Sequence, residues 1–200
     1  MIALGVLVSG SGTNLQAILD AIAAGELDAS VKLVVSSNPT AYGLERAAAV
    51  GEPTLAMEVS EYDDPEAADR KIASALQDAG VEYVAMAGYM RMVGAPLLEA
   101  FPNRILNLHP ALLPSFPGAH GIADAYEHGV KVTGITVHFA NADMDAGPII
   151  AQRAVPVEET DTLDTLEARI HDAEHELYPQ VLQLISLGKV HVEGNKVRIG

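Results

Sequence analysis

With 200 residues, 49% of them hydrophobic, the chain suffices for one domain with a sizeable core. A formal net charge of −15 argues against binding nucleic acid or an acidic membrane through bulk electrostatics. The absence of cysteine excludes disulfides and thiolate chemistry and suits a reducing, cytoplasmic setting.

The apolar runs stop well short of the roughly 20 residues a membrane span needs. The N-terminal MIALGVLVSGSG has no basic n-region and ends in glycines, so it reads as a strand entering a turn rather than as a signal peptide. Residues 2–8 (IALGVLV) form the first predicted strand: short, apolar and partly β-branched. Leu15, Ile18, Leu19 and Ile22 then recur at helical spacing, with Gly25 as the stop. VKLVVSS (31–37) is a second strand and GLERAAAV (43–50) a short helix closed by Gly51. Asp64 as N-cap, Pro65 at the first helical position and Gly80 at the end bound a helix over residues 64–80. VEYVAMA (81–87) and RILNLH (104–109) are strands, and DAYEHG (124–129) ends a helix. KVTGITVHFA (131–140) and GPIIAQRAVPV (147–157) are strands joined by a short loop, so they are expected to pair antiparallel. The longest helix lies within residues 162–188, where Pro179 is expected to bend it, and residues 189–200 read as a terminal hairpin. Alternation of strand and helix up to about residue 110 predicts an α/β fold: a single domain over 1–200 with a mainly parallel sheet, helices on both faces and an antiparallel C-terminal portion.

Three segments carry the candidate chemistry. SGSGTN (9–14) joins the first strand to the first helix, where glycines let backbone approach a ligand and the helix N-terminus offers free N–H groups. No Lys or Arg precedes Lys32, so a phosphate bound there has to rely on backbone amides. The segment is not a dinucleotide fingerprint, because Leu15 stands where the third glycine belongs and the second strand ends in SSN without an acidic residue. It also lacks the G-K-[ST] of a Walker loop. The plainer reading is a tight turn with an ordinary cap.

Asn107 and His109 sit two apart and leave a strand on the same face, at its carboxyl end, where open α/β sheets bind ligands. SGSGTN and GYMRMV (88–93) also follow strands and emerge at that edge. A lone His is otherwise a structural residue and a lone Asn a turn former. DMDAGP (143–148) brings Asp143 and Asp145, which suit a turn, a metal or an imidazole partner. His109, His120, His128 and His138 lack compact metal-ligand spacing, so no metal is expected. His120 and His138 suit either support of neighbouring site residues or packing, and for His138, which points along a strand, packing is put first. No G-x-S-x-G elbow supports serine hydrolysis. Met86, Met90, Met92, Tyr83 and Tyr89 suit either an aromatic-ligand pocket or plain core.

As a set these segments resemble the formyltransferases that use 10-formyltetrahydrofolate. NLHPALLPSFPG is similar to that family's N-x-H-P-x-L-L-P-x-x-x-G signature, and VHFANADMDAGPII to its second motif. GSGTNLQAI, SNPTAYGLERA and EHELYP resemble the branch that acts on glycinamide ribonucleotide in purine synthesis. The resemblance implies a Rossmann-like fold, 10-formyltetrahydrofolate as co-substrate without a metal, small-molecule partners only, and a monomer or homodimer. It implies that Ser11, Gly12, Thr13 and Asn14 hold the phosphate and that Glu174 contacts the glycinamide end. Met90, Arg91, Met92, Val93, Asn107 and the loop Asn141, Ala142, Asp143, Met144 and Asp145 are implied to line the folate pocket. Many relatives carry a basic residue facing the folate at the position of Pro65; Arg70 and Lys71 are the cations expected to take its place.

The chemistry expected is direct attack of the substrate amine on the formyl carbon. Asn107 and a protonated His109 would donate to the developing oxyanion, each worth about 3–4 kcal/mol. Asp145 beside His109 would favour the imidazolium and relay the proton lost by the amine. Three other readings stay open: formylation of an amino-sugar nucleotide, a non-catalytic binder, and a dinucleotide-dependent oxidoreductase.

Overall fold

Burial of both faces of the first strand sets the architecture. The computed structural model describes residues 1–58 and 64–200, Pro65 by its backbone alone. In chain order the elements are β1 (Ile2–Val8), α1 (Thr13–Ala23), β2 (Ala29–Ser36), α2 (Tyr42–Ala49), β3 (Thr54–Ala56), α3 (Pro65–Asp78), β4 (Tyr83–Met86) and α4 (Ala95–Ala100). They continue with β5 (Ile105–His109), α5 (Gly121–His128), β6 (Val132–Phe139), β7 (Ile149–Pro156), α6 (Leu163–Ser186) and the hairpin β8 (Val190–Glu193) and β9 (Lys196–Ile199). From β1, Leu4, Val6 and Val8 enter one apolar layer with Leu15 and Ile18 of α1 and Leu166, Ile170 and Tyr178 of α6. Leu7 enters the opposite layer with Ile72 and Leu76 of α3 and Leu97 of α4. A strand buried on both faces reads as a continuous apolar run, and β1 is one.

The seven-stranded sheet has the order β3-β2-β1-β4-β5-β6-β7. Pairing is parallel from β3 through β5. It is antiparallel between β5 and β6 and between β6 and β7. The chain winds outward from β1 to β3 and then restarts on the other side at β4. The loops after β1 and β4 therefore diverge and leave a crevice at the strand carboxyl ends, where ligands bind in open α/β sheets.

The predicted caps form as expected. The Asp64 side chain accepts from the Glu66 amide at the start of α3, and Gly25, Gly51 and Gly80 take positive φ just past their helices. α6 runs without a break through Pro179, and the Tyr178 hydroxyl donates to the carbonyls of both Met86 and Leu106 at 3.1 Å, joining the floor of β4 to that of β5. The three-residue β3 and six-residue α4 were not expected, being too short to show a period.

Candidate active site

A cavity of about 490 Å³ opens at the carboxyl ends of β1, β4 and β5. Its first wall is the turn after β1. Gly12, the N-cap of α1, is left-handed at φ +70°, and a Cβ there would stand 2.6 Å from the Gly43 Cα. Glycine is therefore needed at position 12, where the turn passes against the backbone of α2, and a Cβ on Gly43 would itself be tight against Val8 at 3.1 Å. Arg46 of α2 donates to the Ser11 carbonyl at 2.8 Å and to the Gln16 side chain at 3.1 Å. The turn thus has a cation braced behind it, one that counting basic residues along the N-terminus did not reveal. Asn14 donates to Oε2 of Glu174 at 3.0 Å, and His171 donates from Nδ1 to the same oxygen at 2.9 Å. The carboxylate is buried and ties the first turn of α1 to α6. Its hydrogen bond holds the His171 pKa above the ordinary imidazole value against the opposing effect of burial, with help from Glu167 and Asp172. His171 lines the cavity and was missed in the sequence; its place three residues before Glu174, one helical turn away, was the available signal.

The second wall is the segment after β4. Met90, Arg91, Met92 and Val93 all line the cavity, together with Tyr89. Met90, Met92 and Met144 expose 71%, 53% and 54% of their surface at its mouth, where they form a flexible, polarisable apolar rim. Ser9 joins the two walls: its hydroxyl accepts from the Met90 amide at 3.0 Å and lies 2.7 Å from the Ser37 hydroxyl.

Between the walls lie the three residues singled out for chemistry. β6 runs against β5, so the β6–β7 loop starts beside Leu106 and folds back toward Asn107 and His109. Gly147 permits the close pass, since a Cβ there would overlap the Phe139 carbonyl. Asp145 ends up with Oδ2 at 3.4 Å from His109 Nδ1 and Oδ1 at 3.4 Å from Asn107 Nδ2. The Gly118 amide donates to Oδ2 at 2.8 Å. Asp145 itself is left-handed at φ +52°, a conformation Asp tolerates better than most residues. His109 Nε2 lies 2.8 Å from the Phe116 carbonyl, which can only accept, so that nitrogen carries a proton. Any second proton on the buried ring goes to Nδ1, facing Asp145. Gly121 leaves room for this bond, with its notional Cβ only 3.2 Å from both His109 Nε2 and the Phe116 carbonyl.

His138, for which the sequence reading puts packing ahead of support, is buried but also holds a site residue. It pairs with Asn107 across the β5–β6 ladder. Nδ1 donates to the Phe139 carbonyl at 3.0 Å, which leaves Nε2 to accept from Asn107 Nδ2 at 3.2 Å. Burial pushes the His138 pKa down and keeps the ring neutral, despite Asp145 Oδ1 at 3.7 Å from Nε2. The Asn107 amide is therefore oriented by a neutral acceptor, with its nitrogen toward Asp145.

Ser11, Gly12, Thr13, Asn14, Glu174, Asn141, Asp143 and Met144 also stand on the cavity wall. Ala142 does not: Asn141 accepts from the Asp143 amide, and the turn this makes lifts Ala142 into solvent. His120 caps α5, exposed and off the wall. Arg70 is engaged at the start of its own helix by Asp64 and Glu66, and the Pro65 side chain lies outside the described residues. Among the described residues no group of three or more His, Asp or Glu could hold a metal ion, and no helix is long and apolar enough to cross a membrane.

Comparison with known proteins agrees with this geometry. Residues 3–182 match the formyl transferase family. The phosphoribosylglycinamide formyltransferase of Bacillus subtilis is 45% identical over 91% of this chain and 94% of its own length. The human trifunctional purine biosynthetic protein adenosine-3 is 40% identical over 95% of this chain, which spans 19% of that longer protein. Among solved structures, glycinamide ribonucleotide transformylase 1 from Symbiobacterium toebii superposes with a TM-score of 0.97 at 52% identity, covering 100% of this chain and 94% of that one. A match over nine-tenths of the chain, with the expected Asn, His and Asp gathered at one point, leaves a single conclusion: this chain belongs to the formyl transferase family.

Proposed function

We propose that the enzyme moves the formyl group of 10-formyltetrahydrofolate to the amine of glycinamide ribonucleotide in purine synthesis. The observation that carries this reading is the convergence of Asn107 Nδ2 and His109 Nδ1, each 3.4 Å from one oxygen of Asp145, at the floor of a cavity with an amide-lined turn at one end. The phosphate sits on the amides at the start of α1, in the field of the helix dipole, with Arg46 behind. The Asn14 Oδ1 is buried without a hydrogen bond among the described residues and is the acceptor for the glycinamide side, together with Glu174. The pterin enters between Met90–Val93 and the loop 141–145.

The free electron pair of the amine attacks the formyl carbon, and the carbonyl π electrons move onto oxygen. That oxygen takes its hydrogen bonds from Asn107 Nδ2 and the His109 imidazolium. Both donors make only long contacts to Asp145, so the substrate oxygen can compete for them, whereas the short Nε2 bond to Phe116 keeps the ring in place. Asp145, neutralising the imidazolium, accepts the amine proton directly or through water. Collapse of the intermediate breaks the bond to folate nitrogen, which leaves with a proton.

The test is a spectrophotometric assay for folate product with glycinamide ribonucleotide, its dephosphorylated form and an amino-sugar nucleotide as acceptors. Turnover with the first and far weaker use of the second is expected. Preference for the amino sugar, or equal use of the dephosphorylated form, overturns the assignment of acceptor.

A further inference from the structure

Asp69 is a charged residue with only 2% of its surface exposed, and no step above uses it. It sits on the inner face of α3, behind the wall formed by Met90–Val93. Oδ2 accepts a short hydrogen bond from the Gly94 amide, while Oδ1 lies 3.8 Å from the Arg91 guanidinium and makes no hydrogen bond among the described residues. Arg91 in turn donates to the buried Tyr89 hydroxyl at 3.4 Å. A carboxylate this deep is costly unless it does something, and desolvation pushes its pKa up in spite of the Gly94 bond and Arg91. The wall is thus held at both ends. Ser9 takes the Met90 amide at one end, and Asp69 takes the Gly94 amide and steadies Arg91 at the other. Gly94 is fitted to this grip: a Cβ there would stand 2.8 Å from Asp69 Oδ2.

We infer that Asp69 is a positioning residue for the one-carbon donor, presetting the backbone of Met90–Val93 and the direction of Arg91 without touching the ligand. This rests on the reading that Met90–Val93 face the folate. The turn that faces the nucleotide lies on the far wall and does not pass through Asp69. A ligand site assembled in advance binds more tightly than one that must be ordered on binding, so loss of the grip falls on donor affinity.

The test is steady-state kinetics on the full chain with each substrate varied in turn. Asp69→Ala is expected to raise the donor KM by about tenfold or more while nucleotide KM and kcat at saturating donor stay within about threefold. Asp69→Asn keeps an oxygen for the Gly94 amide, and its donor KM should rise less than that of Asp69→Ala. Gly94→Ala reaches the same contact from the loop side, at an ordinary φ of −89°, and should also raise the donor KM selectively. Should Asp69→Ala fail to fold, the asparagine and Gly94 variants carry the test. Parallel increases in both KM values, or an asparagine variant as impaired as the alanine one, overturn the inference in favour of a general structural role. A wild-type chain that neither uses the donor nor binds a folate analogue sinks the reading beneath it. An active wild type whose donor KM is unmoved by Asp69→Ala sinks the inference alone.

Discussion

The two ends of the cavity are built on different principles. The end proposed for the nucleotide is built around a contiguous stretch of backbone, Ser9–Asn14, which turns directly from β1 into α1, with Glu174 of α6 hydrogen-bonded to Asn14 at its edge. The chemical end is discontinuous and made of side chains from β5, β6 and the β6–β7 loop, brought into register by strand pairing. A backbone site is preset by local conformation and tolerates changes of side chain. A side-chain site is preset only by packing, and each member depends on a neighbour to aim it.

The sharpest way to break this comparison is at the chemical end. His109→Ala and Asp145→Asn should each lower kcat by roughly 100- to 1000-fold, with nucleotide affinity, measured by calorimetry, almost unchanged. Near-normal turnover in either would remove that residue from the mechanism. Gly12→Ala should do the opposite. It forces an alanine into φ +70° and against Gly43, at a cost of about 1–3 kcal/mol, and should weaken nucleotide binding while leaving folate-analogue affinity close to wild type. His138→Phe tests aiming rather than contact. Without its Nε2, Asn107 loses the shorter of its two acceptor contacts, and a loss of about 1–2 kcal/mol, roughly tenfold in kcat, is expected with both KM values little changed.

The smallest expected effect concerns pH. Folding raises the His171 pKa through Glu174, so the contribution of His171 to stability is fully present below the ordinary imidazole pKa, about 6.5. It is lost as pH rises above that value through the raised one. Half of the His171 side chain is exposed, which keeps the effect small. Urea unfolding of wild type and His171→Gln should show a difference that shrinks as pH rises through this range; a difference that grows would reverse the assignment.

Most of the fold was legible because each long element declares its period and its stop: β1 by a continuous apolar run, α3 by Asp64, Pro65 and Gly80. β3 and α4 were not, since three or six residues complete no pattern. Within the site, legibility followed the same divide. SGSGTN announces itself because a glycine turn before a helix has few other uses. The choice between support and packing for His138 stayed open because its role depends on standing opposite Asn107, a register set by the reversal of β6 after α5, and nothing in the intervening residues encodes that reversal plainly. Arg46, Asp69 and Ser9 escaped for the same reason: each acts on a segment 25 or more residues away in the chain, through packing of helices or strand ends.

The forked hydrogen bond of Tyr178 ties the longest helix to two strands beneath the cavity at once. By bridging the Met86 and Leu106 carbonyls from beneath, one phenol pins α6 to the ends of two paired strands, the ledge that leads to the methionines and the ledge that carries Asn107. A displacement of α6 would therefore carry to both ledges at once rather than to one wall of the cavity.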